Sequence, residues 1–275
     1  MYKAKSFAKI NLGLEILNKR NDGFHSIKTI MTKISLFDEI DIRKSSKNSV
    51  IQAGIEEEKN LVTKILNFMQ EKYFDEKLEI NIKKNIPYSS GLGGGSSNSA
   101  SVIKGLNEYL KLNLDSKEMF DIALKFGSDI PFFLSSSSAM VQGRGEVIRF
   151  IETPNINYLL LICPNINLEN KTSKVFNNLD NFTNGETQEK LLNKIKSNIK
   201  ITESLFNGLE KSAFLVFDEL SEIKDKLSEL SLPNISMSGA GPSFFSIIDN
   251  ENEGMNYLEK VKRNIDCKCF LVNLL

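Results

Sequence analysis

The sequence predicts an α+β protein in two parts, on three observations. Residues 1–17 alternate: Ala4, Ser6, Ala8, Ile10, Leu12, Leu14 and Ile16 fall on one face of a strand, and Lys5, Phe7, Lys9, Asn11, Gly13 and Glu15 on the other. Leu78, Ile80 and Ile82 alternate with Glu79, Asn81 and Lys83, and a glycine-serine stretch then leads to Val102, Ile103, Leu106, Tyr109 and Leu110 at helical spacing. Beyond Thr153-Pro154-Asn155, strand-like and helix-like segments alternate again, as in a smaller α/β sandwich. The expected domains are therefore residues 1–153 and 154–275.

The first strand is followed by a polar turn over 18–23, sharpest at Asp22-Gly23. Lys9 and Asn11 share the less apolar face, whose default is the solvated side of a sheet. Ile27 to Ile42 reads as two strands with Leu36-Phe37-Asp38-Glu39 between them. Residues 45–59 read as loop or weak strand, and Asn60 opens a helix carrying Leu61, Ile65, Leu66 and Met69. Ser96 to Asn98 offer N-cap side chains ahead of the next helix. Asp115 or Ser116 caps a third helix, which ends at Gly127. Asp129, between that glycine and Pro131, has the setting of a turn or capping residue, yet its apolar neighbours make an unpartnered carboxylate costly.

The serine run 135–138 reads as a loop, and 139–150 as a hairpin around Gly143-Arg144-Gly145. In the second part, Tyr158 to Cys163 is a buried strand and Thr172 to Phe176 begins a helical segment. Residues 177–201 are rich in lysine and asparagine, and Leu205 to Leu232 has helical spacing ending before Pro233. A turn at Ser238-Gly239-Ala240-Gly241-Pro242, a strand at Phe244 to Ile248, a helix at Asn256 to Ile265 and a last strand at Lys268 to Asn273 complete the pattern.

Composition narrows the function class. The 275 residues are 41% hydrophobic and 25% charged, as in globular proteins. Thirty-five basic and 35 acidic residues cancel, so no net field draws the chain to nucleic acid or a membrane surface. The apolar runs are too short to cross a bilayer. No signal-like segment follows Met1, and three cysteines cannot all pair, so a reducing cytoplasm is expected. Cys267 and Cys269 have no neighbouring histidine, and no protein metal site is expected.

The chemistry-bearing stretch is Pro87 to Ala100. Glycines let a backbone approach a phosphate closely, and the N–H groups at a helix start favour negative charge. No lysine follows the glycines as in a Walker loop, and Ser96 stands where a dinucleotide fingerprint needs glycine. A flexible linker is the competing reading, but this run lies inside a strand–helix unit.

Five motifs stand in one order: Ala8-Lys9-Ile10-Asn11-Leu12, Asp22-Gly23-Phe24-His25, Pro87 to Ala100, Gly127 to Phe133, and Met237 to Gly241. On these the chain resembles the GHMP small-molecule kinases over essentially its whole length. The first two motifs resemble the branch that phosphorylates a cytidylated polyol. The resemblance implies an α+β, two-domain GHMP kinase fold: an N-terminal α/β domain with a left-handed β-α-β crossover, and a ferredoxin-like C-terminal domain. General chirality rules alone would give a right-handed crossover.

It also implies ATP and Mg²⁺ as cofactors and roles for particular residues. Asp129 would be the base that accepts the hydroxyl proton, with Lys9 as the cation that keeps it ionised. Pro87, Tyr88, Ser89, Ser90, Gly91, Leu92, Gly93, Gly94, Gly95, Ser96 and Ser97 would wrap the phosphates, with Asn60 and Lys84 on the adenosine side. Phe24 and Phe176 would sandwich cytosine while His25 bonds its edge, and Asn11 and Thr172 would touch the substrate's polar groups. Taken alone, Phe176 reads as a core residue and His25 as a surface one. The implied partner is a small-molecule cytidylated substrate, with no nucleic acid or membrane, for a monomer or weak homodimer. Two alternatives stand beside this: a GHMP kinase for another alcohol such as mevalonate or homoserine, and a non-catalytic nucleotide-binding module.

Overall fold

Alternating residues become strands here on a scale the average strand does not reach. In the computed structural model, β1 (Tyr2–Lys19) and β2 (His25–Lys44) span 18 and 20 residues, against a usual five or so. The elements that follow are β3 (Ser49–Gln52), α1 (Leu61–Tyr73), β4 (Leu78–Lys83), α2 (Gly94–Leu110), α3 (Ser116–Phe126), α4 (Ile130–Leu134), β5 (Ser138–Gly143) and β6 (Val147–Ile151). Then come β7 (Tyr158–Pro164), α5 (Lys171–Asn177), α6 (Glu186–Lys196), α7 (Glu210–Val216), α8 (Asp218–Glu229), β8 (Ser236–Met237), β9 (Phe244–Ile248), α9 (Glu251–Asn264) and β10 (Cys267–Val272). The structure describes residues 1–135 and 137–275, without the side chain of Glu203; Ser136, in the run expected to form a loop, lies outside the described residues.

The chain forms two compact units that interleave in sequence. Residues 1–8, 36–86 and 93–136 make the first, and residues 9–35, 87–92 and 137–275 the second. The expected boundary at 153/154 falls inside the second unit, because β1 and β2 are long enough to run from one unit into the other.

In the first unit β3 and β4 are parallel, with Val50 opposite Ile80, and α1 lies between them in the chain as a β-α-β unit. The later part of β2 pairs antiparallel with β4, Ile40 facing Ile82. Leu78, Ile80 and Ile82 are buried, as their alternation required. Helix α2 packs against α1, α3 and α4, and Val62, Ile65, Leu66, Val102, Ile103, Leu106 and Phe132 fill the core. Asp115 and Glu118 form a capping box at the start of α3.

In the second unit the earlier part of β2 pairs with β5, Ile30 opposite Met140, and β5 with β6, Val141 opposite Ile148. A second sheet has the order β10-β7-β9-β8, all antiparallel. A strand, helices, two strands, a helix and a strand in that order make the ferredoxin-like arrangement. Its core joins Leu160, Ile162, Leu220, Phe244 and Val261 with Leu14 and Ile16 of β1.

Three local expectations are corrected, and one segment without an expected structure proves helical. Residues 27–42 form one strand, and the acidic stretch between the supposed two lies within it. Asp38 is buried and accepts from Lys84 Nζ and from the backbone N–H groups of Asn85 and Ile86, so its charge is satisfied inside the fold. Helix α2 starts at Gly94 with Gly93 as N-cap at φ 70°, which places Ser96 to Asn98 in its first turns and leaves them no capping role. Lys9 and Asn11 are 5% and 4% exposed, so β1 is buried on both faces there. Helix α6 lies in the polar stretch 177–201, burying Gln188, Leu191, Leu192 and Ile195 at helical spacing.

Candidate active site

Within the second unit, β1 brings Lys9 and Asn11 onto a buried chain of hydrogen bonds. Lys9 Nζ donates to Asn11 Oδ1 at 2.6 Å, Asn11 Nδ2 to Thr29 Oγ1 at 2.8 Å, and Thr29 Oγ1 to the Gly13 carbonyl at 2.6 Å. This fixes the amide orientation of Asn11 and the direction of the ammonium. Asn11 N–H donates to Ser238 Oγ at 3.1 Å, which ties β1 to the turn 238–243. In that turn Ser238 N–H donates to the Ser243 carbonyl at 2.9 Å. Gly239 is left-handed at φ 59°, and a Cβ there would stand 3.1 Å from Asn11 Oδ1. Only glycine lets the turn come so close.

The stretch 87–92 packs on the same turn. Ser90 Oγ donates to the Pro87 carbonyl at 2.8 Å, and Ser243 N–H to the Ser90 carbonyl at 3.3 Å. Lys9 N–H donates to the Leu92 carbonyl at 3.0 Å. Lys171 Nζ donates to the Ser89 carbonyl at 3.0 Å and also to the Gly241 carbonyl. The acceptors of Ser89, Ser90 and Leu92 are thus all bonded within the unit. A loop must turn its carbonyls inward in this way before its N–H groups can face an anion. Gly91, at φ 79°, lies against the Gly241 carbonyl, where a Cβ would collide.

A second group in this unit is aromatic. The His25 ring lies 5.1 Å from that of Phe176, tilted by 35°, and 6.2 Å from that of Phe182. Burial, then the charge of Lys19, pushes the His25 imidazole below its ordinary range, which favours the neutral ring with one donor and one acceptor. Phe24 is half exposed, its backbone N–H held by Asp22 at 3.1 Å and its ring covered by the Arg144 guanidinium 5.0 Å from the centroid. Thr172 is exposed on α5.

The other expected residues belong to the first unit. Asp129 directly precedes α4 and makes no cap bond to it, so a capping role does not explain the carboxylate. Gly93 is the N-cap of α2 and Gly94 to Ser97 form its first turn, with Ser97 Oγ donating to the Phe7 carbonyl at 2.6 Å. Lys84 pairs with buried Asp38. Asn60 caps α1, its Oδ1 accepting from Val62 N–H at 3.0 Å and its Nδ2 donating to Gln52 at 3.1 Å. Both ends of that amide serve the local structure.

The residues given no site role from the sequence are Thr29, Ser238, Arg144, Phe182 and Lys171, although Ser238 lies in the motif Met237 to Gly241 and Arg144 in the hairpin turn. Thr29 and Ser238 carry no periodic or charge signal of their own. Lys171 stands beside Thr172, where a charge in a polar stretch reads as solvated surface. Burial, then the charge of Lys9, instead pushes its ammonium down to about 8.

Residues 60–141 match the family model described as GHMP kinases N terminal domain, and residues 186–266 that described as GHMP kinases C terminal. A 4-diphosphocytidyl-2-C-methyl-D-erythritol kinase of Thermoanaerobacter sp. (strain X514) is 35% identical over 272 residues, covering 96% of this chain and 92% of that protein. A crystal structure of 4-(cytidine 5′-diphospho)-2C-methyl-D-erythritol kinase matches with a TM-score of 0.84 at 25% identity, over 99% of both chains. The homoserine kinase of Cytophaga hutchinsonii ATCC 33406 shares the fold alone, at TM-score 0.70 and 17% identity over 98% of this chain and 94% of that one.

Proposed function

This chain belongs to the GHMP kinase family, and on that premise we propose that it transfers a phosphoryl group from ATP to the 2-hydroxyl of 4-diphosphocytidyl-2-C-methyl-D-erythritol. The reaction belongs to the non-mevalonate route to isoprenoid precursors. The observation that carries this reading is the end-to-end likeness to relatives named for that kinase activity.

The residues present fit the donor. A triphosphate carries distributed negative charge, and the stretch 87–92 turns three carbonyls inward while α2 offers a 17-residue helix start headed by glycines. Lys9, fixed by Asn11, supplies positive charge for the transferring group. Asp129 accepts the proton of the attacking hydroxyl. Mg²⁺, when bound, would neutralise phosphate charge on the donor. Among the described residues no group of three or more His, Cys, Asp or Glu side chains is placed to hold a metal by itself.

The acceptor's cytosine end is assigned to the aromatic group. Phe24 and Phe176 supply stacking faces, and the neutral His25 ring supplies an edge contact. Asn11 and Thr172 contact polar groups of the substrate.

A substrate panel tests the reading. The purified protein is given ATP, Mg²⁺ and, separately, the cytidylated substrate, mevalonate and homoserine, with ADP and phosphorylated product quantified. Turnover of the cytidylated substrate alone is expected. Preferential phosphorylation of mevalonate or homoserine would move the protein to another GHMP activity, and no turnover of any would leave a nucleotide-binding module.

A further inference from the structure

A lysine in a polar stretch ordinarily points its ammonium into water. Lys171 does not. Its Nζ donates to the Ser89 carbonyl at 3.0 Å and to the Gly241 carbonyl. These acceptors lie in two segments far apart in sequence, and neither bears a formal charge. The nearby charge that bears on it is that of Lys9, of the same sign. A partly dehydrated ammonium that donates to backbone carbonyls, with a like charge acting on it, is held at a cost in the unliganded fold. An anion brought to Lys171 relieves that cost, and the stretch it holds is the one whose carbonyls are bonded inward.

We propose that Lys171 is the positioning residue of the phosphate loop in this protein: it clasps the loop to the turn 238–243, and its charge with that of Lys9 commits the loop to the polyphosphate of the phosphoryl donor. The inference rests on the kinase reading above and names a residue which that reading does not use. The geometry supports it from three sides. Ser243 N–H holds the Ser90 carbonyl and Lys9 N–H holds the Leu92 carbonyl, so Lys171 supplies the remaining inward contact at Ser89. Gly91 packs directly against the Gly241 carbonyl that Lys171 also holds, so loop and turn meet at the clasp. Lys174, the next cation on α5, instead lies over the Phe217 ring at 5.6 Å, leaving Lys171 as the cation α5 brings to the loop.

The charged group that acts on Lys171 is Lys9 of β1. In the chain Glu169 stands two residues before it, Lys174 follows on its own helix and Tyr88 precedes Ser89 in the loop, while the turn 238–243 contributes no titratable side chain. Its ammonium, lowered to about 8, loses charge as pH rises from 7 to 9. Donor affinity should fall over that interval, because a bound polyphosphate prefers the protonated lysine.

The test uses the full chain with Lys171→Met and Lys171→Arg, measuring ATP and CDP dissociation constants, KM for ATP and kcat at about pH 7 and pH 9, and the melting temperature. For Lys171→Met we expect ATP binding weakened about tenfold or more, CDP binding within about twofold of wild type, KM for ATP raised more than kcat is lowered, and the fall in ATP affinity between the two pH values abolished. Lys171→Arg keeps a charge that does not titrate there, so it should recover part of the affinity without the pH dependence. ATP affinity and pH response equal to wild type in Lys171→Met would overturn the proposal. So would a parallel loss of ATP and CDP binding with a lowered melting temperature, which marks a structural strut, or a loss confined to CDP, which assigns the charge to the acceptor's diphosphate. The two readings fail separately. Lys171-dependent ATP binding without phosphorylation of the cytidylated substrate would sink the proposed acceptor alone. Normal turnover with Lys171-independent ATP binding would sink the clasp alone.

Discussion

Two single positions separate chemistry from scaffolding. Asp129 makes no cap bond to α4, so Asp129→Asn removes negative charge and basicity without deleting a helix cap. If the carboxylate accepts the hydroxyl proton, kcat should drop by about 10²–10⁴-fold with ATP affinity largely kept. Single-turnover rates check this, and a near-normal chemical step in the variant would take Asp129 out of the base role. Gly95 gives the complementary case. A Cβ added there meets nothing within 4 Å beyond its chain neighbours and its own helix backbone, and the backbone is ordinary helix. Protein sterics therefore do not demand glycine. Gly95→Ala should stabilise the unliganded fold by roughly 0.4–1 kcal/mol through lost unfolded-state freedom. If phosphate approaches the start of α2, the added methyl group should weaken ATP binding in the same protein. A higher melting temperature with unchanged ATP affinity would move the phosphates away from Gly95. Gly93 and Gly91 are poorer probes, since their φ values of 70° and 79° strain any side chain regardless of ligand.

Elements were legible from the sequence where one force dominated. Period-2 alternation located β1 and β4, Asp115 gave the start of α3, and Asn60 that of α1, because burial and capping leave local marks. The glycine run carries a local mark of the same kind, and its role toward an anion is part of the function proposed above. What failed needed a partner remote in sequence. Asp38 looked like a turn residue until Lys84 and the Asn85 and Ile86 N–H groups were seen around it. Lys9 looked solvated because a strand pattern shows two faces without showing what covers each. Lys171 was invisible as a loop contact because both its acceptors are backbone carbonyls. The Asp38 cluster sets a prediction for the junction of β2 with the end of β4. Asp38→Ala removes the buried carboxylate to which Lys84, whose side chain is 10% exposed, and two backbone N–H groups donate. The cost should be about 3–5 kcal/mol, as for other broken buried pairs. Chemical denaturation checks it, and a loss below about 1 kcal/mol would mean that water or a shifted carbonyl replaces the carboxylate.

For the whole molecule, the decisive feature is that β1 contributes to the core of the second unit although 154–275 looks like a domain of its own. Leu14 and Ile16 lie in one cluster with Leu160, Ile162, Leu220 and Phe244. Leu14 N–H donates to the Phe206 carbonyl at 2.8 Å, Gly208 N–H to the Leu14 carbonyl at 2.8 Å, and Thr183 N–H to the Ile16 carbonyl at 2.9 Å. Near the other end of the chain, Ser35 N–H donates to the Asn273 carbonyl at 2.9 Å and Leu275 N–H to the Lys33 carbonyl at 3.1 Å. Burying Leu14 and Ile16 is worth about 1.5–3 kcal/mol each, against a total stability of about 5–15 kcal/mol for a domain of ordinary size. Losing both, together with the backbone bonds that hold them, removes most of that margin. A fragment of residues 154–275 should therefore lack a cooperative melt, despite a complete β10-β7-β9-β8 sheet. Mixing it with residues 1–153 should restore one, because the missing strand returns. Far-UV circular dichroism melts of each fragment and of the mixture decide the matter. A sharp transition in the isolated C-terminal fragment would show that its sheet and helices close a core without β1, and that the strand is an addition to a domain already stable.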